Sequence, residues 1–503
     1  MTRSARPKVF WRNFSSALLD GPAINWTSLA RRAPRAIIAY VAILIALRLS
    51  LSPFMEIDEA QFVGEVGFAW NYGNSHPPLY NWLVRLALEL TGWNWVLAVA
   101  LVRLSLLGLY HWLCFDSARR LGGGRAGILA LAASALLPQI VWMSIQTTAH
   151  TILVIVASVG IIHSLALMRS GKGIGAYVWF GIWTAVGALA KYNFFIFLTS
   201  FLIAAWMTKS IRRQLFRRPI WISIAIFVAA FTPVVIASLN APLAATAGRM
   251  AKLSNAIGYL ESLDLPHLGI DGLLSLLIST FLWSGPAVIV FLIGQVRDHP
   301  RPAPDGDADV RKVLLRTVLI GLAAFAVLVF AADYHSVAER YMAPILAPTA
   351  ILIALYLPQI LGARNLLAIS GALYLVAPVA VAGIALFGTE RFNFPFDAVS
   401  LAIRAQNPSP ARIVSNRQDD AANVAALLHW PPERGGAQDI VLVWQGGDAP
   451  GDNALSHLPE DAEPIGPVTR VTAPTRNQSG KLRTFSFQRY SSQLPLPDQS
   501  SGG

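Results

Sequence analysis

Residues 36–62, AIIAYVAILIALRLSLSPFMEIDEAQF, hold the transition that decides the fold. From Ala36 to Pro53 the chain is an apolar run close to the ~20 residues that cross ~30 Å of hydrocarbon as a helix. Two neighbouring carboxylates, Asp58 and Glu59, follow at once, and His76-Pro77-Pro78-Leu79 comes soon after. Water solvates a carboxylate far better than a bilayer does, so acids placed beside a span default to functional candidates.

The pattern repeats outward from that stretch. Apolar runs recur at Trp95–Phe115, Ile220–Leu239, Val313–Ala331 and Leu366–Phe387, in a chain of 503 residues that is 54% hydrophobic and 14% charged. Soluble domains carry about a quarter charged residues. The composition therefore specifies a polytopic α-helical membrane protein. Arg103 and Arg316 interrupt the runs, and Arg316 is near enough to an end to snorkel. The net charge of +12 sits in short clusters between the runs: Arg31, Arg32 and Arg35; Arg119, Arg120 and Arg125; Arg169 and Lys172; Lys209 to Arg218; Arg311 and Lys312. Clusters after every second span follow the positive-inside rule, so the charge reports topology and contact with anionic membrane lipids, not nucleic acid. Cys114 is the sole cysteine, which excludes an intramolecular disulfide. The basic N-terminus ahead of a long apolar run, with no small-residue cleavage site, reads as a retained first span.

With the basic loops on the cytoplasmic side, hydropathy predicts about eleven spans, near 36–54, 95–115, 125–141, 147–168, 175–190, 192–208, 219–238, 271–296, 313–332, 343–358 and 366–388. The fifth and sixth are short enough for a broken or re-entrant pair. An odd count places the N-terminus inside and the C-terminus outside. Three outer segments result: 55–94, 239–270, and everything after about 389. Within the first, Phe62, Val66 and Trp70 are spaced as one face of an amphipathic helix over Glu56–Trp70 lying along the surface. Residues 1–388 thus form the membrane domain. Residues 389–490 form a small extracytoplasmic α/β domain with strands at Ala411–Ser415, Ile440–Trp444 and Thr484–Tyr490 and a helix at Asp419–His429. Residues 491–503 have the composition of a disordered tail.

Several constellations could carry chemistry. As helix neighbours, Asp58 and Glu59 point about 100° apart, so one of them can face a given cavity. They suit a base or charge stabiliser, and equally an acidic helix start that favours the N-terminal dipole. The two prolines after His76 hold it in an extended conformation, beside the acids or simply ahead of a helix from Leu79 to Leu90. Lys191-Tyr192 lies between two apolar segments on the predicted outer side, against the positive-inside bias, where an ammonium suits a phosphate or snorkels. Arg340-Tyr341 occupies the outer loop Ala332–Met342 with Asp333, His335 and Glu339; an arginine there can fork a phosphate or pair with a loop acid. Arg249 and Lys252 belong to the second outer segment and suit an anionic headgroup or a solvated face. Trp93, Trp95, Trp142 and Trp179 fit an interfacial belt.

Together, Asp-Glu-Ala after the first span, His-Pro-Pro-Leu nearly twenty residues on and Lys-Tyr at a later span junction resemble the bacterial branch of the protein O-mannosyltransferase superfamily, which includes the lipid A aminoarabinose transferases. The sequence differs in carrying Gln61 where an aromatic often follows Asp-Glu-Ala. The resemblance implies a GT-C fold, a polyprenyl-phosphate sugar donor and a cell-envelope acceptor: lipid A, another glycolipid, a polysaccharide or a protein. It implies Asp58 as the essential acid with Glu59 beside it, His76 in the matching turn, and Lys191 with Tyr192 near the donor phosphate. Arg249, Arg340 and Tyr341 join them by predicted side and charge. The expected setting is the bacterial inner membrane with the active site outside; no cofactor is required, although the carboxylate pair could bind a divalent metal. Two rival readings are a transporter or flippase of lipid-linked sugars, which usually shows internal repeats that this chain lacks, and a non-catalytic assembly partner.

Overall fold

The computed structural model describes residues 24–60, 63, 67–70, 76–146, 149–239, 270–295, 307–331, 337–356, 363–388, 391–406, 412–415, 417–428, 439–447, 449–476 and 481–492. Helix α1 (Trp26–Leu51) starts where the Asn25 side chain accepts the Ser28 N–H, and runs through the opening apolar stretch. A single turn, α2 (Ile57–Ala60), carries the acidic pair, and α3 (Leu79–Leu90) begins directly after Pro78. Asn94 caps α4 (Trp95–Ser134), accepting the Leu97 N–H. This long element breaks at Gly122 and Gly123; Gly123 has φ 81° and ψ −179°, a backbone state open essentially to glycine. The break lies within the basic cluster Arg119, Arg120, Arg125, so two predicted spans emerge as two arms of one kinked element.

Helix α5 (His150–Arg169) is buried along its whole length up to Met168. After it come α6 (Ile174–Ala190), α7 (Phe194–Trp206), α8 (Lys209–Leu215), α9 (Ile220–Leu239), α10 (Ile270–Gln295), α11 (Ala308–Ala331), the broken helix α12 (Ala343–Tyr356) and α13 (Ala363–Phe387). Close backbone approach at small residues replaces the hydrophobic effect as packing glue within lipid. A methyl on Gly160 of α5 would lie 2.3 Å from the Trp183 ring of α6, and one on Gly108 of α4 would lie 2.7 Å from Val41 of α1. Six described helices are long and apolar enough to cross a membrane, or seven if α7 and α8, bent by 115°, form one span. Helices α6 and α12 are shorter apolar segments. The chain is therefore a multi-pass membrane protein, with six or seven such helices among the described residues, the kinked α4 counted once.

The outer surface helix expected over Glu56–Trp70 is cut short. Helix α2 ends at Ala60, and Gly67 to Trp70 are not helical. Gly64 and Gly67 weaken a helix through this stretch. Residues 69–70 fold back on α3 instead: Trp82 Nε1 donates to the Ala69 carbonyl at 2.9 Å, with the Trp70 ring edge-on at 4.7 Å.

After α13 the chain forms α14 (Phe396–Gln406), β1 (Arg412–Val414), α15 (Gln418–Leu427), β2 (Asp439–Gln445), β3 (Glu463–Pro474) and β4 (Leu482–Ser491). The sheet order is β1-β2-β4-β3, with β1 and β2 parallel and the other pairs antiparallel. The parallel pair needs a crossover, which α15 supplies. Alternation sends Val441, Val443, Phe485 and Phe487 to one face with α14 and α15, and Ile440, Leu442, Trp444 and Tyr490 to the other. The three predicted strands and the helix are present. β3 was not anticipated because Pro464, Gly466 and Pro467 disrupt its alternation, and such residues suit the edge position it takes.

Candidate transfer site

The site starts from Arg48, in the last turn of α1. Its Nε donates to Glu59 Oε1 at 3.1 Å, Nη2 to Glu59 Oε2 at 2.6 Å and to the Phe54 carbonyl at 2.8 Å, and Nη1 to the Ser52 carbonyl at 2.9 Å. Arg103 of α4 approaches Glu59 Oε1 to 2.9 Å through Nη2, while its Nη1 donates to the Gln146 carbonyl at 3.0 Å. All three side chains are buried. Burial alone would raise the Glu59 carboxyl, but the two guanidiniums overcome it and hold the group down at about 2. Glu59 is thus held in its ionised form and saturated with partners, a clamp between α1, α2 and α4. Its sequence-based pairing with Asp58 as a catalytic acid is corrected on this ground: an acceptor engaged on both oxygens by guanidiniums has no basicity to offer.

Asp58 differs in every respect. It is half-buried, and among the described residues it accepts no hydrogen bond. Burial pushes its carboxyl above the ordinary range, while Arg340, Arg103 and Lys191, in that order, pull it back. These cations reach it from separate parts of the chain. Lys191 caps α6, is 7% exposed, and donates from Nζ to Thr151 Oγ1 at 3.0 Å. Burial, and then the positive charge of Arg340, push its ammonium down to about 7, against the attraction of Asp58. The same Nζ lies 5.7 Å from the centre of the Tyr341 ring, and Asn193 Nδ2 donates to the Tyr341 carbonyl at 3.0 Å. The loops holding Lys191 and Arg340 are therefore locked together over the acid, although 148 residues separate Asn193 from Tyr341.

His76 lies beside the same centre. Its ring stacks on that of His150 at 4.4 Å, and Tyr80 of α3 meets His150 at 5.1 Å. Lys191 acts electrostatically on His150, and Asp58, Glu59 and Arg103 act on Tyr80. The prolines after His76 thus start α3 and direct the imidazole inward. Of the sequence candidates, the structure gathers Asp58, Glu59, His76, Lys191, Arg340 and Tyr341. Tyr192 follows Lys191 directly, half-buried at the turn into α7. Arg249 lies outside the described residues, as do Lys252, Asp333 and His335. Arg48, Arg103, His150 and Thr151 were missed. Among the described residues no group of three or more His, Cys, Asp or Glu gathers to hold a metal ion.

Comparison with known proteins sets this geometry in context. Residues 75–236 match the sequence profile of the family described as dolichyl-phosphate-mannose-protein mannosyltransferase. The lipopolysaccharide core galacturonosyltransferase RgtB of Rhizobium johnstonii is 25% identical over 432 residues, covering 81% of this chain and 85% of the relative. The galacturonosyltransferase RgtA of the same organism is 25% identical over 453 residues, covering 86% and 85%. In fold, the chain resembles ArnT from Cupriavidus metallidurans bound to undecaprenyl phosphate, with a TM-score of 0.57 at 15% identity over 90% of this chain and 98% of that one. The apo form of that ArnT gives a TM-score of 0.55 at 16% identity, over 78% and 84%. With an acid-bearing turn directly after α1, a profile match over residues 75–236 and a fold shared with ArnT over most of its length, the chain is similar to the GT-C glycosyltransferases of the protein O-mannosyltransferase branch.

Proposed function

We propose that the chain transfers a hexuronosyl unit from a polyprenyl-phosphate donor to a hydroxyl of an envelope glycolipid, with inversion at the anomeric carbon. The observation that carries this reading is the convergence of Lys191 and Arg340 on an Asp58 carboxylate that has no hydrogen-bond donor among the described residues. A phosphate diester carries its charge on the oxygens that leave with the lipid, and two cations beside the acid suit it. Asp58 removes the proton from the acceptor hydroxyl. The acceptor oxygen bonds to the anomeric carbon as its bond to the phosphate oxygen breaks, and polyprenyl phosphate departs with both electrons, its charge met by Lys191 and Arg340. The scheme assigns that charge to side-chain cations rather than to a metal. Glu59 contributes by fixing α2 rather than by chemistry.

The sugar and acceptor class rest on the curated relatives, which are lipopolysaccharide core galacturonosyltransferases, and the donor class on the ArnT structure with undecaprenyl phosphate. The proposed setting is the bacterial inner membrane, with the N-terminus cytoplasmic and the site and C-terminal domain outside, and with the shorter helices α6 and α12 counted among about eleven crossings. The test is to incubate the purified protein in nanodiscs with a panel of polyprenyl-phosphate sugars and core glycolipid acceptors, following release of polyprenyl phosphate. Turnover with a uronosyl donor and not with its neutral hexosyl counterpart is expected. Acceptor-dependent turnover with none of the panel would refute the reading.

A further inference from the structure

The stretch leading into Asp58 is gripped from the C-terminal domain. Phe54 is 1% exposed, and its ring lies in that domain's core with Phe396, Val424 and Phe485, edge-on to Phe396 at 5.4 Å. The guanidinium of Arg476 covers the same ring at 5.2 Å, and Ser52 Oγ donates to the Phe392 carbonyl at 2.9 Å. The next residue is held on both its polar groups by one side chain: the Met55 N–H donates to Asn423 Oδ1 at 2.7 Å, and Asn423 Nδ2 donates to the Met55 carbonyl at 3.0 Å. Asn423 is 2% exposed, and its amide also donates to the Asp419 carbonyl one turn earlier in α15. From the membrane side, Arg48 takes the Ser52 and Phe54 carbonyls, and Glu59 Oε2 accepts the Glu56 N–H at 3.1 Å.

We propose that the C-terminal domain is a positioning part of the transfer site, with Asn423 and Phe54 setting where the Asp58 carboxylate stands. The proposal rests on the assignment of Asp58 to proton removal. A side chain that bonds the N–H and the carbonyl of one residue fixes the peptide planes on either side of it. Met55 lies one turn before Asp58, so an error in those planes is passed directly to the carboxylate. A misplacement of about 1 Å at a reacting group costs on the order of a hundredfold in rate. Asn423 sits on α15, whose other side is fastened to the sheet, so the grip is as rigid as the domain. Lys191 and Tyr341, next to Arg340, are held by Thr151 and Asn193 rather than by this grip, so donor binding is expected to be independent of it.

The test uses the full chain in nanodiscs. Asn423→Ala is expected to lower kcat about tenfold or more with the donor KM unchanged within twofold. Asn423→Asp keeps the acceptor for the Met55 N–H and loses the donor to its carbonyl, so an intermediate kcat is expected. Ile440→Val, on the opposite face of the sheet, controls for loosening of the domain and is expected to keep kcat while lowering the melting temperature. A folded Asn423→Ala or Asn423→Asp protein with wild-type kcat overturns the proposal, as does an equal loss in Ile440→Val. Asp58→Asn, run alongside, separates the failures: if it is inactive while the Asn423 variants are normal, the grip alone is wrong; if it is fully active, the underlying assignment is wrong.

Discussion

Two carboxylate centres, around Asp58 and around Asp116, are built oppositely. Asp58 sits near Arg103 of α4, and Asp116 lies thirteen residues further along α4. Asp116 is saturated: Arg119, Arg120 and His163 all bond to it, with His163 Nε2 at 2.9 Å, and Trp112 tilts over that imidazole at 5.4 Å. Asp58 has comparable cations near it, yet among the described residues none of them bonds to it. A buried acid that closes every lone pair holds helices together. One kept short of donors retains the capacity to take a proton. Glu59 brings the contrast down to neighbouring residues, since it is saturated while Asp58 is not.

The largest expected effect tests the saturated side. Removing one partner of a buried ion pair strands the other charge, which typically costs ~3–5 kcal/mol. Glu59→Gln leaves both Arg48 and Arg103 without their counter-charge and should lower the melting temperature most, and Arg48→Met, which leaves Glu59 paired with Arg103, should fall between it and the wild type. A wild-type melt for Glu59→Gln would break the contrast at its first step. Next comes Asp116→Asn, which loses charge-assisted hydrogen bonds worth about 1.5–3 kcal/mol each. It should melt earlier while kcat stays within twofold, whereas lost turnover in the folded protein would mean that the Asp116 cluster has a chemical role.

Lys191 sharpens the comparison by pH. Burial and Arg340 push its ammonium down to about 7, so it is charged below that pH and loses its proton above it. Attraction for the donor phosphate is then full below pH 7 and declines as pH rises. We expect the donor KM to rise from pH 7 to 9 in the wild type and to stay flat in Lys191→Arg. Lys191→Met should show about a tenfold higher KM at pH 6, an effect of ~1.4 kcal/mol.

The smallest effect lies in the C-terminal domain. Burial, and then Asp419, push the Asp420 carboxyl up to about 7, with Gln445 Nε2 bonded to it at 2.7 Å. The folded state therefore holds a proton that the unfolded chain releases from about pH 4, and this group's contribution to stability falls as pH rises from 4 to 7. Asp420→Asn should flatten that part of the stability profile and melt slightly above the wild type at pH 8, as scanning calorimetry would record.

Legibility followed the same division. The membrane class, the acid-bearing turn and the candidates Lys191 and Arg340 could be read from hydropathy and from charges that run against the expected loop pattern. The clamp could not. Arg48 and Arg103 lie inside apolar helices, where an arginine reads as an interruption; the available signal was that Arg48 falls in the last turn of its helix, just ahead of the Glu59 turn. His150 and Thr151 open α5 with no sequence pattern that points to Lys191 forty residues later. Their meeting is a product of tertiary packing. The 100° between Asp58 and Glu59 around a helix shows that one of them can face the cavity, but not which one meets Arg48 and Arg103.

The most direct measurement is the turnover of Asp58→Asn and Asp116→Asn in one donor-release assay, each with its melting temperature. Asp58→Asn should keep the wild-type melt and donor binding while losing about 10²–10⁴ in kcat, and Asp116→Asn should do the reverse. An Asp58→Asn protein that turns over at the wild-type rate would contradict the account.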